Sequence, residues 1–223
     1  MSAEDVRPQG DRGFFGRRKT KALSGRKERL VEQLLPRLRF RSDALGDGDA
    51  QMEIGFGGGE HLAARAQRHP DVTFVGVEPF LNGMAKMLGE IEDRGLANVL
   101  LDDRDAALVL DEMPAARLSR IDLLYPDPWP KARHNKRRFV GPRNLERIVR
   151  ALRTGGEFRF ASDIPHYVDW TLAHVLARSD LEWTALKRED WQSPWDGWQR
   201  TRYEAKAVRE GRVPAYLRFR KVA

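Results

Sequence analysis

Residues 51–59 read QMEIGFGGG, and the rest of the chain is arranged around this stretch. A short apolar run gives way to glycines, and residues 60–66 then form a good helix sequence, so the pattern predicts a strand, a tight turn and a helix. Gly55, Gly57 and Gly59 have no Cβ, which lets a ligand approach the backbone closely. The first N–H groups of the helix also lack partners within the helix. Similar turns occur without a ligand, so the next strand has to be considered as well.

Glu78 follows the second predicted strand, residues 73–77. In a doubly wound sheet, an acid at this point can accept hydrogen bonds from ribose hydroxyls. A dinucleotide-binding turn needs the pattern G-x-G-x-x-G, but the last glycine, counted from Gly55, is replaced by Glu60. The pattern present is E-x-G-x-G-x-G beginning at Glu53, which resembles the first motif of S-adenosylmethionine-dependent methyltransferases. An acid there suits a sulfonium and an ammonium group better than a pyrophosphate, which it would repel.

The length of 223 residues fits one sizeable domain, which we expect over residues 26–223, preceded by a basic, disordered arm over residues 1–25. The chain has no cysteine, which excludes disulfides and thiolate chemistry. No apolar run approaches the ~20 residues of a membrane helix, and the N-terminus is polar and basic, unlike a secretion signal. These features predict a cytoplasmic protein.

Charge is divided unevenly along the chain. Residues 42–130 contain 17 acidic and 7 basic residues, whereas residues 131–153 contain 9 basic and 1 acidic, and residues 1–41 contain 12 basic and 5 acidic. An acidic half and two basic segments fit a cationic small molecule and a polyanion. A single charged run, taken alone, is explained equally well as solvated surface.

Strand and helix patterns alternate through most of the chain. This alternation predicts an α/β fold, a doubly wound and mostly parallel sheet with helices on both faces and a crevice at the carboxyl ends of the strands. Pro36 should lie near the end of the first helix. The predicted strands are 51–55, 73–77, 98–101, 120–125 and 157–161, with two more near 181–186 and 215–219, and the predicted helices are 26–37, 59–68, 81–94, 142–153 and 165–177.

Acidic residues follow three of these strands. Glu78, Asp105 and Asp127 should therefore lie at the same edge of the sheet as the glycine turn. Asp105 could accept the amino hydrogen of an adenine, although it suits the N-cap of the following helix equally well. Asp127 lies in Pro-Asp-Pro-Trp-Pro, residues 126–130, where three prolines fix the backbone.

The stretch PDPWPKARHNKRR, residues 126–138, is the most specific feature of the sequence. It resembles the signature of the bacterial tRNA (guanine-N7)-methyltransferases. The resemblance extends from residue 14 to the C-terminus and includes EIGFGGG at 53–59, GVE at 76–78, SD at 162–163 and TRYE at 201–204.

The resemblance implies a seven-stranded Rossmann-like sheet and methyl transfer from S-adenosylmethionine to N7 of a guanine in the variable loop of tRNA. It also implies a role for each matching residue. Asp127 would be the catalytic residue. The cofactor site would contain Glu53, Gly55, Gly57, Gly59, Glu78, Asp105 and Asp127. The substrate would be bound by Lys131, Asp163, Thr201, Arg202, Tyr203 and Glu204, and RNA would be contacted by Arg133, His134, Lys136, Arg137 and Arg138.

Guanine N7 carries a lone pair and no proton, so the reaction needs alignment rather than a strong base. We expect Asp127 or Asp163 to accept hydrogen bonds from the guanine N1–H and amino group. Asp163 could instead cap the helix that begins near Pro165. Trp129 could stack on the base or belong to the core. His134 is interpreted as an RNA contact, because no second ligand stands at metal-binding spacing, and no metal is expected.

Other interpretations remain open at this point. An amino-methyltransferase acting on a nucleobase of RNA or DNA would share the fold and a similar turn after the fourth strand. A non-catalytic RNA-binding protein with a vestigial cofactor fold is a second alternative, and an NAD-linked enzyme is disfavoured by Glu53 and Glu60. Residues Trp191, Trp195 and Trp198 are predicted to form a loop cluster. The sequence is compatible with a monomer or a homodimer.

Overall fold

The computed structural model describes residues 22–222 of the chain. Its centre is a seven-stranded sheet of β1 (Ala50–Ile54), β2 (Thr73–Val77), β3 (Val99–Asp102), β4 (Leu118–Leu124), β5 (Leu152–Ser162), β6 (Leu181–Trp183) and β7 (Ala215–Lys221). The strands lie in the order β3-β2-β1-β4-β5-β7-β6.

The strand order reverses beside β1, which pairs in parallel with both β2 and β4. Strand β4 pairs in parallel with β5, whereas β7 runs antiparallel to β5 and β6. The prediction of a doubly wound, mostly parallel, seven-stranded sheet is therefore confirmed. A reversal of this kind opens a crevice at the carboxyl ends of the central strands, where ligands bind in such sheets.

Helices cover both faces of the sheet. The helices are α1 (Gly25–Gln33), α2 (Leu35–Leu38), α3 (Glu60–Arg68), α4 (Leu81–Arg94), α5 (Ala106–Glu112), α6 (Pro142–Ala151), α7 (Pro165–Leu176), α8 (Glu189–Gln192) and α9 (Arg202–Arg209). Helices α1, α3 and α4 pack on one face through Leu30, Leu62 and Leu88. Helices α5, α6 and α7 pack on the other face through side chains such as Val109 and Ile148.

Most predicted elements agree with the structure, and two differ in an instructive way. Helix α6 ends at Ala151, two residues before the predicted end at 153, and the glycine pair 155–156 lies inside β5. The pairing of β4 with β5 shifts register between Leu118 and Arg120, which accommodates the glycines as an irregularity in the strand. Pro36 does not end a long helix but occupies the first turn of the separate short α2, where its missing N–H costs nothing.

The predicted N-terminal arm lies almost entirely outside the described residues. Within the described part, Gly25 already belongs to α1. The division into an arm and one domain over residues 26–223 stays a prediction.

Helix α4 packs so closely on the glycine turn that Gly83 has no room for a side chain. A Cβ on Gly83 would lie 2.2 Å from the carbonyl oxygen of Gly57, whereas a Cβ on Gly89, in the same helix, would meet nothing within 4 Å. We expect Gly83→Ala to destabilise the protein by about 1–3 kcal/mol, because a backbone atom must move. Gly89→Ala should stabilise it by roughly 0.5–1 kcal/mol, because alanine is the better helix residue.

Urea denaturation followed by circular dichroism measures both free energies of unfolding. Equal stabilisation by the two substitutions would show that α4 does not press on the turn.

Candidate active site

The glycine turn joins β1 to α3 at the sheet reversal. Gly55, Gly57 and Gly59 have φ values of 69°, 59° and 81°, in the left-handed region that residues with a Cβ rarely adopt. Gly59 is also the N-cap of α3, and a Cβ there would lie 2.4 Å from the Met87 sulfur. The three predicted glycines are therefore required by the left-handed backbone of the turn.

Glu78 is fixed against this turn. Its carboxylate accepts the N–H of Gly57 at 2.7 Å and the N–H of Phe80 at 2.9 Å. Burial raises the pKa of Glu78 despite these two hydrogen bonds, the charge of Asp127 raises it further, and Arg202 opposes the rise. The result is a buried, oriented acceptor at the end of β2.

Glu53 is also buried, but its partner was not recognised in the sequence. Its Oε2 lies 2.8 Å from Nδ1 of His61, in the first turn of α3. The other nitrogen of His61, Nε2, is buried and has no hydrogen-bond partner among the described residues. The His61 ring lies 5.1 Å from that of Trp198. The sequence of residues 60–68 predicts a helix but does not reveal the role of His61. That role depends on contacts with Glu53 and Trp198, which only the fold brings together.

Asp122 is buried close to Glu53 and His61, and these three residues form a buried charged layer with Arg65 and Arg120. It accepts hydrogen bonds from Arg120 at 2.6 Å and from Arg65 at 3.4 Å. Burial by itself would raise the pKa of Asp122, but Arg120, Arg65 and His61 together hold it below its ordinary value. The sequence signal for Asp122 was the pair of charged residues alternating with apolar ones inside a predicted core strand.

Glu53, His61 and Asp122 bring three potential metal ligands within 4.8 Å of one another. Two guanidinium groups already neutralise Asp122, so a divalent cation would be placed beside two positive charges. The donor set therefore does not fit a metal.

Asp105 is the N-cap of α5, and its carboxylate accepts the N–H of Ala107 at 2.9 Å. The capping interpretation is confirmed, while the contact with an adenine amino group stays a prediction. Asp127, in the turn after β4, is exposed, and its carboxylate makes no hydrogen bond or ion pair with residues 22–222. It lies close enough to Glu78 for its charge to act on that carboxyl group.

The basic segment after Asp127 surrounds Trp129. The guanidinium of Arg137 lies 5.0 Å from the centre of the Trp129 ring, and the ring of His134 meets it edge-on at 5.9 Å. Trp129 is half-buried and has a φ of 43°, so the prolines hold it in a conformation rare for a large residue. Among the other predicted contacts, Lys131, Arg133 and Lys136 are exposed, whereas Arg138 is buried and bonds to the protein itself.

Asp163 does not cap the helix that follows it. The N-cap of α7 is Ile164, and the carboxylate of Asp163 forms an ion pair with Arg212. Asp163 therefore enters the site with its charge already partnered, unlike Asp127.

The TRYE segment lies over the glycine turn. Thr201 caps α9, and the ring of Tyr203 comes within 3.1 Å of where a Cβ on Gly57 would be. Glu204 is buried, and it accepts hydrogen bonds from Trp198 at 2.7 Å and from the Tyr216 hydroxyl at 2.5 Å.

The predicted tryptophan cluster is divided by the structure. Trp195 and Trp198 pack edge to face at 5.1 Å, in the segment that leads to α9. Trp191, in contrast, belongs to the short α8. The pair forms part of the packing that fixes the TRYE segment.

A doubly wound sheet with a glycine turn and buried acids at its reversal is typical of Rossmann-like methyltransferases. A family model described as "Putative methyltransferase" matches residues 47–216. The fold is similar to that of a 16S rRNA methyltransferase, KamB, with a TM-score of 0.56 at 16% identity over 86% of this chain and 93% of that one. It is also similar to an rRNA methylase from Streptococcus thermophilus, with a TM-score of 0.53 at 13% identity over 91% and 100% of the two chains.

Proteins related in sequence show to which family of methyltransferases the chain belongs. The chain is 51% identical to the tRNA (guanine-N(7)-)-methyltransferase of Chelativorans sp. (strain BNC1), over 94% of this chain and 95% of the relative. It is 52% identical to the protein of the same name from Rhizobium meliloti (strain 1021), over 93% and 94% of the two chains. The chain belongs to the tRNA (guanine-N(7)-)-methyltransferase family. Within residues 22–222, no helix combines the length and the apolar character needed to cross a membrane.

From the ion pairs of Asp122 in the buried charged layer, we expect Asp122→Asn to lower the free energy of unfolding by an amount that depends on pH. Because the folded-state pKa of Asp122 is depressed, its ion pairs stabilise the protein above its ordinary value of 3.8 and lose that effect as the pH falls through the lower, folded-state value. At pH 7 we expect a loss of about 3 kcal/mol, since two buried guanidinium groups lose their anion.

Urea titrations at pH 7 and near pH 3 would show the difference from the parent protein shrinking in acid. Asp43→Asn is the control, because Asp43 pairs with Arg41 in full solvent and should have little effect. A pH-independent difference for Asp122→Asn would contradict the ion-pair explanation.

Proposed function

We propose that this protein transfers a methyl group from S-adenosylmethionine to N7 of a guanine in tRNA, within the variable loop that the family resemblance implies. The observation that carries the proposal is the position of Asp127, a free carboxylate next to a buried acidic crevice and at the start of a basic segment. The crevice suits a cationic cofactor, and the basic segment suits a polyanionic substrate.

The residues at the crevice fit S-adenosylmethionine. Glu78 has a buried, oriented carboxylate that would accept two ribose hydroxyls, and the turn has no Cβ at Gly55, Gly57 and Gly59 to obstruct a ligand. Glu53, held by His61, would supply negative charge for the cationic amino-acid end of the ligand. Asp105 could accept the adenine amino group with its second oxygen while capping α5 with the first. When bound, this cofactor supplies an electrophilic methyl group on a sulfonium.

Asp127 would hold the base by the edge opposite N7. The guanine N1–H and amino group both donate hydrogen bonds, and a carboxylate can accept the two together. Held by that edge, the base points N7 into the crevice. The positive charge that develops on the purine is then offset by the carboxylate. We assign this role to Asp127 rather than Asp163, because Asp163 already pairs with Arg212.

No residue is needed as a general base, since N7 has no proton to lose. The contribution of the protein is to align N7 with the methyl group and to exclude water from the crevice. Tyr203 and Arg202 lie close to Gly57 of the glycine turn, and Trp129 lies in the turn that contains Asp127. We assign to these three side chains contacts with the base or the neighbouring nucleotides. Stacking of a base on an aromatic ring contributes roughly 1–3 kcal/mol.

The exposed cations Lys131, Arg133 and Lys136 would bind tRNA phosphates around the entrance. His134 and Arg137 pack on Trp129 and would place it against the substrate. A tRNA substrate also agrees with the predicted cytoplasmic location. The relatives named for guanine N7 support this reaction over transfer to an amino group, and the carboxylates retained along the crevice support catalysis over RNA binding alone.

The direct test is to incubate the protein with unmodified tRNA and S-adenosylmethionine, and to identify the methylated nucleoside by mass spectrometry. We expect 7-methylguanosine, and chain scission at one guanine after reduction and aniline treatment. Asp127→Ala should lower kcat about 100-fold or more, as expected when one oriented electrostatic contact is lost.

Asp71→Ala is the matched control, since Asp71 is an exposed carboxylate before β2, at the opposite edge of the sheet. Methylation at an amino group would refute the proposed reaction. Normal turnover by a folded Asp127→Ala protein would refute the role of Asp127.

The raised pKa of Glu78 predicts that cofactor affinity depends on pH. The ribose hydroxyls donate their hydrogen bonds most strongly to an ionised carboxylate. The affinity for S-adenosylmethionine should therefore fall as the pH drops through the raised pKa of Glu78. Glu78→Gln should bind weakly at every pH, and its difference from the parent protein should disappear in acid. Isothermal titration calorimetry between pH 5 and pH 8 measures this. A constant ratio of the two affinities would show that Glu78 does not bind the ligand in its charged form.

A further inference from the structure

Arg138 differs from the other residues of the basic segment. It is 5% exposed, whereas Lys131, Arg133 and Lys136 face solvent. A cation that contacts RNA phosphate must be reachable from outside. Burial therefore separates Arg138 from the neighbours with which it shares the sequence motif.

The guanidinium of Arg138 is occupied by contacts within the protein. Its Nε donates to the carbonyl of Pro128 at 2.9 Å, and its two amino nitrogens reach His166, one to the carbonyl at 3.2 Å and one to Nδ1 at 2.8 Å. The same group lies over the rings of Tyr167 at 4.8 Å and Trp170 at 5.4 Å. Three hydrogen bonds and two aromatic faces hold it in one orientation.

These acceptors belong to the two segments that carry the candidate base-binding carboxylates. Pro128 directly follows Asp127, in the turn after β4. His166 lies three residues after Asp163, in the first turn of α7. The last backbone hydrogen bond that the structure describes between these two neighbouring strands runs from the Tyr125 N–H to the Ala161 carbonyl, at 2.7 Å. Arg138 connects the two segments beyond that point.

We propose that Arg138 is a positioning residue, which sets the separation between the Asp127 turn and the Asp163 turn and so aims Asp127 at the guanine. This inference rests on the proposed function and adds a role that differs from RNA contact. Lysine cannot replace arginine here, because a single ammonium group cannot reach separate acceptors in a planar fork while stacking between two rings. A phosphate contact, by contrast, would tolerate lysine.

Arg138→Lys is therefore the decisive variant. We expect kcat at saturating tRNA to fall about 10- to 100-fold, the size of effect that a displacement near 1 Å produces. The affinity for S-adenosylmethionine, measured by calorimetry, should stay within about twofold of the parent value, because Glu53 and Glu78 are untouched. Unchanged kcat in Arg138→Lys would overturn the proposal.

The salt dependence of tRNA binding distinguishes a positioning role of Arg138 from a phosphate contact. Removing one phosphate contact lowers the slope of log Kd against log salt concentration by about 1. We expect Lys136→Met to lower the slope in this way and Arg138→Met, its matched partner, to leave it unchanged. Equal loss of slope in the two variants would overturn the proposal.

His166→Ala covers the case in which Arg138 variants fail to fold, since His166 is an exposed residue that supplies only one side-chain acceptor. It should lower kcat with an unchanged salt slope, and normal kcat would count against the proposal. The proposed function fails separately, when the parent protein forms no 7-methylguanosine in tRNA.

Discussion

The peptide group of Gly57 is the point on which the site depends. Its N–H is accepted by Glu78 at the end of β2, and its carbonyl lies against Gly83 in α4. A turn with left-handed φ values would otherwise be among the most mobile parts of the chain. Because the turn is held from two sides, its conformation is fixed without a ligand, and binding there would need little further ordering.

Charge is buried beneath this turn at considerable cost. Asp122 accepts hydrogen bonds from Arg65 and Arg120, and Glu53 pairs with His61 in the same layer. A hydrophobic layer would be as stable or more so, since desolvation offsets most of the attraction in such pairs. The layer instead gives Glu53 a fixed orientation. Function therefore explains this arrangement better than stability does.

The C-terminal segment packs against the glycine turn. Glu204 accepts hydrogen bonds from Trp198 and from the hydroxyl of Tyr216, so α9 is connected to β7 and thereby to the sheet. This connection carries Tyr203 to the glycine turn. The buried carboxylate of Glu204 gives the TRYE motif a structural role in addition to the substrate contacts predicted for it.

Arg138 likewise joins two segments that are distant in sequence, as Glu204 does. Both residues occupy places in motifs that suggest direct contact with substrate, and both are buried. A sequence motif shows which residues a site requires. It does not show whether a residue contacts the substrate or holds neighbouring residues in place. The sequence by itself determined the sheet, the glycine turn and the acids at the strand ends, because hydrophobic periodicity and turn chemistry are local properties. The tertiary structure decided the partners of His61, the ion pair of Asp163 and the burial of Arg138, because each depends on which remote side chain the folded chain brings within reach.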